Sequence, residues 1–448
     1  MAEIIVPDDQ ATIQQAITAA IAAGNVTKIR IKDGTYSGAN NRDIDCGTLV
    51  NCSIEAYTPN STAVIIDGLA GNYYGFYVHS SGISFKDLKV YGFRPTNGYG
   101  GGFNIADNHC TLTNIHIQQC YTSGVGGGGI KISASSGSFT LTMNNCIVHE
   151  CVALYGGGGG IYVGNNATIT INTAQIYSNQ SQGGVGCRGG GIDIVNTNIG
   201  FLNYLNNVLI YNNTVHSSGG DGGGLNVRYA TCYLNHCVID SNSAPAGMGG
   251  GIHTEYDGYV NAFDTLIVSN SASSYGGGFV SLYKDPVFRN CTIAYNTSGL
   301  QGGGIALSVN ATLTDCIVRF NTATGTGDDI QFSSTIAANY CDIRVYGAPY
   351  IEGGGTLNRS NCIDADPVFA DKGDFLPTGS SDSYYLNQAT SPCKDTGSQT
   401  AVAAGLDQRT TATSGAKDTG VVDMGYHYEY ITTGPTNNQK SGAFMQVN

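Results

Sequence analysis

Asp193, Asn226 and His253 follow one another at intervals of 33 and 27 residues, with Arg228 and Glu255 two places after the last two. These are the residue types of proton transfer and charge neutralisation. In elimination from a polysaccharide, Arg228 or Lys131 would neutralise a uronate carboxylate while His253 or Tyr162 moves protons. Hydrolysis of a glycosidic bond asks instead for two carboxylates about 5 Å apart (retaining) or about 6.5 to 9.5 Å apart (inverting), and Asp193 with Glu255 is the available pair. Lys131, Tyr162, Asn226 and Tyr256 flank these groups and suit stacking on, and bonding to, an extended sugar chain. All of this requires a fold that brings positions about one repeat apart onto one surface.

The chain has such a repeat. Eight glycine runs end in an apolar residue, at Phe103, Ile130, Ile161, Ile192, Leu225, Ile252, Phe279 and Ile305, separated by 27, 31, 31, 33, 27, 27 and 26 residues. A period in this range marks a solenoid in which each repeat is one coil. A β-propeller blade needs ~40 to 50 residues, which is too long. Asn179, Asn212, Asn242, Asn270, Asn296 and Asn321 form a second ladder in step with the first, read as a stacked turn because asparagine tolerates left-handed angles and bonds its like one rung away. Cys146, Cys237, Cys291 and Cys316 form a third, with small apolar thiols suited to a strand interior. The expected fold is all-β, a right-handed parallel β-helix. At ~4.8 Å per rung, a dozen coils make a rod on the order of 60 Å long.

Alternation along each strand then sorts the side chains. If the apolar residue closing each glycine run faces inward, its successor faces out. The first outward column is Asn104, Lys131, Tyr162, Asp193, Asn226, His253, Val280 and Ala306, and the second contains Val195, Arg228, Glu255 and Leu282. Asp193, Asn226, Arg228, His253 and Glu255 should share one face over three rungs, bordered by Arg188 and Asp221 of the glycine turns. The plainer alternative is a solvated sheet face, where opposite charges on neighbouring rungs pair for a few tenths of a kcal/mol. The glycine runs precede strands and lack a Gly-Lys-Ser/Thr ending, so they are turns and not phosphate loops.

Residues 1–27 read as a strand and capping helix, with Asp8 or Asp9 at the helix start, Ile13, Ile17 and Ile21 on one face, and Gly24 at the end. Residues 28–362 are assigned to coils, 363–430 to an irregular C-terminal cap, and 431–448 to a polar tail. A net charge of −13 with 20 Lys plus Arg gives a nucleic-acid role no electrostatic footing. No run of 18 apolar residues spans a membrane. Among the 14 cysteines, Cys46 with Cys52 and Cys232 with Cys237 are the pairs best spaced for disulfides. No histidines and cysteines stand at zinc spacing, so no metal is assigned. The first ten residues lack the features of a signal peptide, so the chain is expected either to have lost a leader or to reach a surface by another route, such as a virus particle.

The opening VPDDQATIQQAITAA, the DGTY turn and the coils after them resemble the pectate-lyase-like superfamily of right-handed β-helices. The glycine-run repeats are similar to those of bacterial polymorphic outer-membrane and surface proteins. DADPVF, SPCKDTG and VVDMGYHYEY are similar to the closing segment of large secreted bacterial β-helix proteins. The resemblance covers residues 3 to 430 and implies a carbohydrate partner outside the cell, on a cell surface or on a virion. Pectate lyases of the superfamily use clustered aspartates for calcium and an arginine base. No such cluster can be matched here, so calcium is not indicated by a motif and no cofactor is assigned. Two functions stay open: a surface protein for adhesion or glycan recognition, compatible with a trimeric spike, and a polysaccharide-degrading enzyme, lyase before hydrolase, working on the 193 to 256 face.

Overall fold

The computed structural model describes residues 2–106, 109–133, 139–184, 186–196, 200–345, 347, 349–370 and 384–429. Short strands stack in parallel into three sheets that wrap one core, with strands from Ile44–Asp45 to Ile351–Gly353 giving twelve rungs on the sheet that follows the glycine runs. The apolar residues closing the runs pair in register, Ile192 on Leu225, Leu225 on Ile252 and Ile252 on Phe279, and all are buried. The coil from Ile252 shows the unit. Strand Ile252–Glu255 leads to Tyr259–Phe263, the chain bends at Asp264 (φ 44°), Leu266–Val268 follows, and the two-residue strand Ser271–Ala272 feeds the next glycine run. This is the parallel β-helix expected from the period.

The helix spans Ile13–Ala23 and buries Ile13, Ala16, Ile17 and Ala20. Its N-cap is Thr12, whose hydroxyl accepts the Gln15 N–H, and Gly24 closes it at φ 70°. The expected aspartates do other work: Asp9 accepts the Ile5 N–H at 2.8 Å and Asp8 pairs with Lys32.

The asparagine ladder runs through Asn179, Asn213, Asn242, Asn270, Asn296 and Asn321, all buried. Each amide bonds the next: Asn242 Nδ2 donates to Asn270 Oδ1 (3.0 Å), which also accepts the Asn242 backbone N–H (2.9 Å). Asn213, not Asn212, holds the ladder position. Left-handed backbone belongs to the residue before each rung, Ser178, Asn212, Ser241, Ser269, Tyr295 and Phe320, with φ of 53° to 59°. The ladder asparagines are therefore selected for their amides, and Asn212 supplies the left-handed turn. All fourteen cysteines are free thiols, including Cys46, Cys52, Cys232 and Cys237, and all but Cys362 are buried.

The described part of the C-terminal segment, 384–429, lies along the flank of the stack instead of only closing its end. Arg409 reaches Asn207, His427 reaches Asp264, Tyr426 reaches Thr292 and Ser398 reaches Asp315. Tyr384 and Tyr426 pack on outward-facing Leu209, Val238, Leu266 and Val268, a second apolar cluster outside the coil. The segment braces several coils at once.

Candidate functional site

Register places the candidate residues as the alternation implies. Lys131 pairs with Tyr162, Tyr162 with Asp193, Asp193 with Asn226 and Asn226 with His253, and Arg228 pairs with Glu255 in the neighbouring column. Exposure differs from expectation. Asp193 is 1% exposed, and Asn226 and His253 are fully buried. The reason lies in the glycine turns, whose backbone folds over the first outward column. A Cβ on Gly157 would sit 1.6 Å from Asp193 Oδ2, and one on Gly249, at φ +63°, would sit 2.7 Å from His253 Cβ. Glycine is needed because the face is roofed by main chain. Parallel bridges between Arg188 and Asp221, and from Tyr275 through Gln301 to Thr326, stack the roof from coil to coil.

Beneath the roof the polar groups bond one another in part, and Asp193 Oδ2, Arg228 Nε and His253 Nε2 are buried without a hydrogen-bond partner among the described residues. Asn226 Nδ2 donates to Asp193 Oδ1 (2.7 Å), which leaves Asn226 Oδ1 as the acceptor for His253 Nδ1–H at 2.9 Å. The proton of His253 is thus on Nδ1, and Nε2 is a buried acceptor without a hydrogen-bond partner among the described residues. Burial, reinforced by Arg188 and Arg228, lowers the His253 pKa to about 3. Burial raises the Asp193 carboxyl against the opposing pull of Arg228, whose Nη2 lies 3.7 Å from Oδ2. Glu255 is held by Arg188, with Nε at 2.9 Å from Oε2 and Nη2 donating to Oε1 at 3.1 Å. Asp221 accepts the Met248 N–H (2.8 Å), and burial raises its pKa. Lys131 spends its ammonium on the carbonyls of Gly98 and Val125 (2.8 and 2.9 Å). Burial, then Asp193, pushes the Tyr162 phenol up to about 12.

Outside the roof the picture changes. Tyr256, one place after Glu255, is 40% exposed and stacks on Tyr229 of the preceding coil, with centroids 4.8 Å apart and planes within 3°. Tyr283 of the next coil is 53% exposed and lies 5.7 Å away at 22°. The three phenols make a row of ring edges and hydroxyls at the rung spacing, with the outer face of Tyr283 free of a further stacked ring among the described residues. Sequence reasoning singled out Tyr256 alone. The missed signal was periodic: Tyr229, Tyr256 and Tyr283 are separated by 27 and 27 residues, the same steps as Leu225, Ile252 and Phe279. Asp395, Asp418 and Asp423 bring carboxylate oxygens within 4.8 Å of one another. Asp423 accepts from the Asp395 backbone N–H and the Thr411 hydroxyl, and Asp418 Oδ2 accepts from the Asp423 backbone N–H and bonds His427, which makes these two carboxylates part of the brace.

Residues 201–343 match the family described as right handed beta helix region. The chain carries a right-handed β-helix. Among solved structures, this β-helix is similar to the A-module of mannuronan C-5 epimerase AlgE4 of Azotobacter vinelandii. That match is 14% identical, covers 80% of this chain and 94% of the other, and has a TM-score of 0.47. A PL6 alginate lyase in complex with a trisaccharide is 13% identical over 81% of this chain and 85% of its own, with a TM-score of 0.37. Tailspike protein 3 of bacteriophage CBA120 is 11% identical over 80% and 60%, with a TM-score of 0.31. A search of curated proteins finds no match to the sequence. No described helix of the β-helix protein is long and apolar enough to cross a membrane.

Proposed function

We propose that this β-helix is a glycan-recognition protein of an extracellular or virion surface, structural rather than catalytic, that receives a neutral glycan along Tyr229, Tyr256 and Tyr283. The observation that carries this reading is the coil-to-coil tyrosine row, in which Tyr229 is half-buried and Tyr256 and Tyr283 are exposed. Phenols combine apolar ring edges for sugar C–H groups with hydroxyls for sugar O–H groups, at little cost in side-chain entropy. The charges around the row favour a neutral ligand over a uronate. Arg188 is paired with Glu255, Arg228 lies beside Asp193, and Lys284 is paired with Asp257 at 3.2 Å. Among the described residues, these cations beside the row are already paired with carboxylates.

Cleavage on the 193–256 face is less well supported. His253 and Asp193 would have to meet substrate, and both lie under main chain that no side-chain rotation removes. The test is binding to a panel of neutral and acidic glycans, with product formation followed by ultraviolet absorbance and reducing ends. Replacing Tyr256 or Tyr283 by alanine should weaken binding about tenfold, equivalent to ~1.4 kcal/mol per ring. Unchanged affinity in the double variant, or new product ends from any polysaccharide, would sink the reading.

A further inference from the structure

The outer face of the longest sheet carries two more columns of side chains. In parallel register they run Thr35, Ile65, Lys89, His116 and Ile147, and beside them Ser37, Asp67, Tyr91, Gln118 and His149. Beyond these coils the same columns become Leu209, Val238 and Leu266, and Tyr211, Asp240 and Val268, and Tyr384 and Tyr426 of the brace cover their apolar members. The sequence therefore divides one face into a part for its own C-terminal segment and a part of different chemistry. That second part holds an open trough of about 370 Å³ lined by Thr35, Ile65, Asp67, Lys89, Tyr91 and Gln118. Its volume is in the range of small-ligand sites.

The lining is ordered before any ligand arrives. Tyr91 donates its hydroxyl to Gln119 Oε1 (2.8 Å), and Gln118 donates to Glu150 Oε2 (3.0 Å). Asp67 Oδ1 accepts the Leu69 N–H at 2.7 Å, which fixes the carboxylate. Lys89 forms no ion pair among the described residues, and its ammonium lies 5.5 Å from the centre of the Tyr91 ring. One carboxylate, one ammonium, an amide and a hydroxyl thus surround a phenol, with Glu150, bonded to Gln118, a second carboxylate at the edge. Farther along, His149, Tyr177 and Tyr211 continue the column as stacked rings at 4.6 and 4.7 Å.

We infer that this trough is a second glycan site, in which the Asp67 carboxylate and the Lys89 ammonium take hydroxyls of a neutral pyranose oligosaccharide against Tyr91 and Gln118. A ligand of many hydroxyls and no charge matches a balanced set of donors and acceptors. An anion would meet Asp67 and Glu150, and a cation would meet Lys89. The site stands on different coils from the tyrosine row and does not depend on it.

The experiment uses the full chain carrying both Tyr256→Ala and Tyr283→Ala, titrated calorimetrically with cellohexaose, maltohexaose, mannohexaose and an oligogalacturonate. The expected result is retained binding of at least one neutral hexasaccharide, weakened about tenfold by Lys89→Ala and again by Gln118→Ala. Both replaced side chains are partly exposed, so the thermal midpoint should not move. Three results overturn the inference: no neutral hexasaccharide binds the double tyrosine variant, the retained binding is unaffected by both trough substitutions, or only the oligogalacturonate binds. Failure of the tyrosine row would show separately, as unchanged affinity on going from the parent to the double tyrosine variant while the trough substitutions still act.

Discussion

His253 shows how a residue type misleads when its environment is unknown. Its Nδ1 proton is fixed by Asn226 and its other nitrogen is buried, so the ring stays neutral through the range where an ordinary histidine titrates. Nitrogen-detected NMR should find His253 as the Nδ1–H tautomer at pH 5, with protonation only as pH approaches about 3. A titration midpoint near 6.5 would mean that the roof opens. The sign of the linkage follows. The folded pKa lies below the unfolded value, so the unfolded state takes up the proton first, and stability falls as pH drops below about 6.5. His253→Gln should therefore remove part of the acid sensitivity of the unfolding midpoint between about pH 6.5 and about pH 3 while leaving glycan binding unchanged. Tyr256 and Tyr283 lie at the opposite pole. They contribute little to the core and should matter for binding alone.

At the scale of the element, stability is argued rung by rung. Asn270 donates to the Ile239 carbonyl (2.9 Å) and to Asn296 Oδ1 (2.9 Å), and accepts the Asn242 N–H. Asn270→Ala leaves that N–H without its partner in a dry interior, worth about 1–3 kcal/mol, and strips further bonds from the Ile239 carbonyl, the Asn242 amide and Asn296 Oδ1. The unfolding midpoint in denaturant should fall by an amount corresponding to roughly 2–5 kcal/mol in total. Gly249→Ala should cost a comparable roughly 2–5 kcal/mol, because φ +63° is unfavourable for alanine and its Cβ would meet the Ile252 carbonyl oxygen at 2.5 Å. The period and alternation were enough to place Asp193, Asn226 and His253 in one column and Arg228 on Glu255. They could not show the roof, because a glycine run reads as a tight turn whether it bends away from a face or across it. Asn212 and Asn213 exchanged roles for a similar reason: both residues are asparagine, and only the backbone tells the left-handed corner from the buried amide. The tyrosine row was present as spacing, one residue beyond the columns that alternation made visible.

The brace was the least legible part, since its contacts join residues 83 to 202 positions apart. At the scale of the whole molecule it ties separate coils together, and a solenoid otherwise couples each coil only to its neighbours. The central pin is ionic. Asp264 accepts from His427 backbone N–H (2.6 Å), and its carboxylate meets His236 at 2.7 Å and Arg409 at 3.5 Å, while His427 Nε2 bonds Asp418 at 2.9 Å. Burial opposes charge on His427, but Asp264 and Asp418 outweigh it and raise the pKa to about 9. Burial likewise opposes charge on Asp264, and bonds from His236 and His427 outweigh it and hold that carboxyl below its usual range. The raised His427 pKa contributes stability that is full below about 6.5 and lost as pH rises through about 9. The lowered Asp264 pKa contributes stability present above about 3.8 and lost as pH falls through its folded value. The brace should thus be held most firmly between mildly acidic and neutral pH. Hydrogen exchange of residues 395–429 should accelerate between about pH 7 and about pH 9 by more than the intrinsic base-catalysed rate, while strands such as Leu225–Arg228 stay protected. His427→Gln should abolish that extra acceleration by releasing the brace at every pH. Equal pH dependence in parent and variant would show that the pin does not hold the coils together.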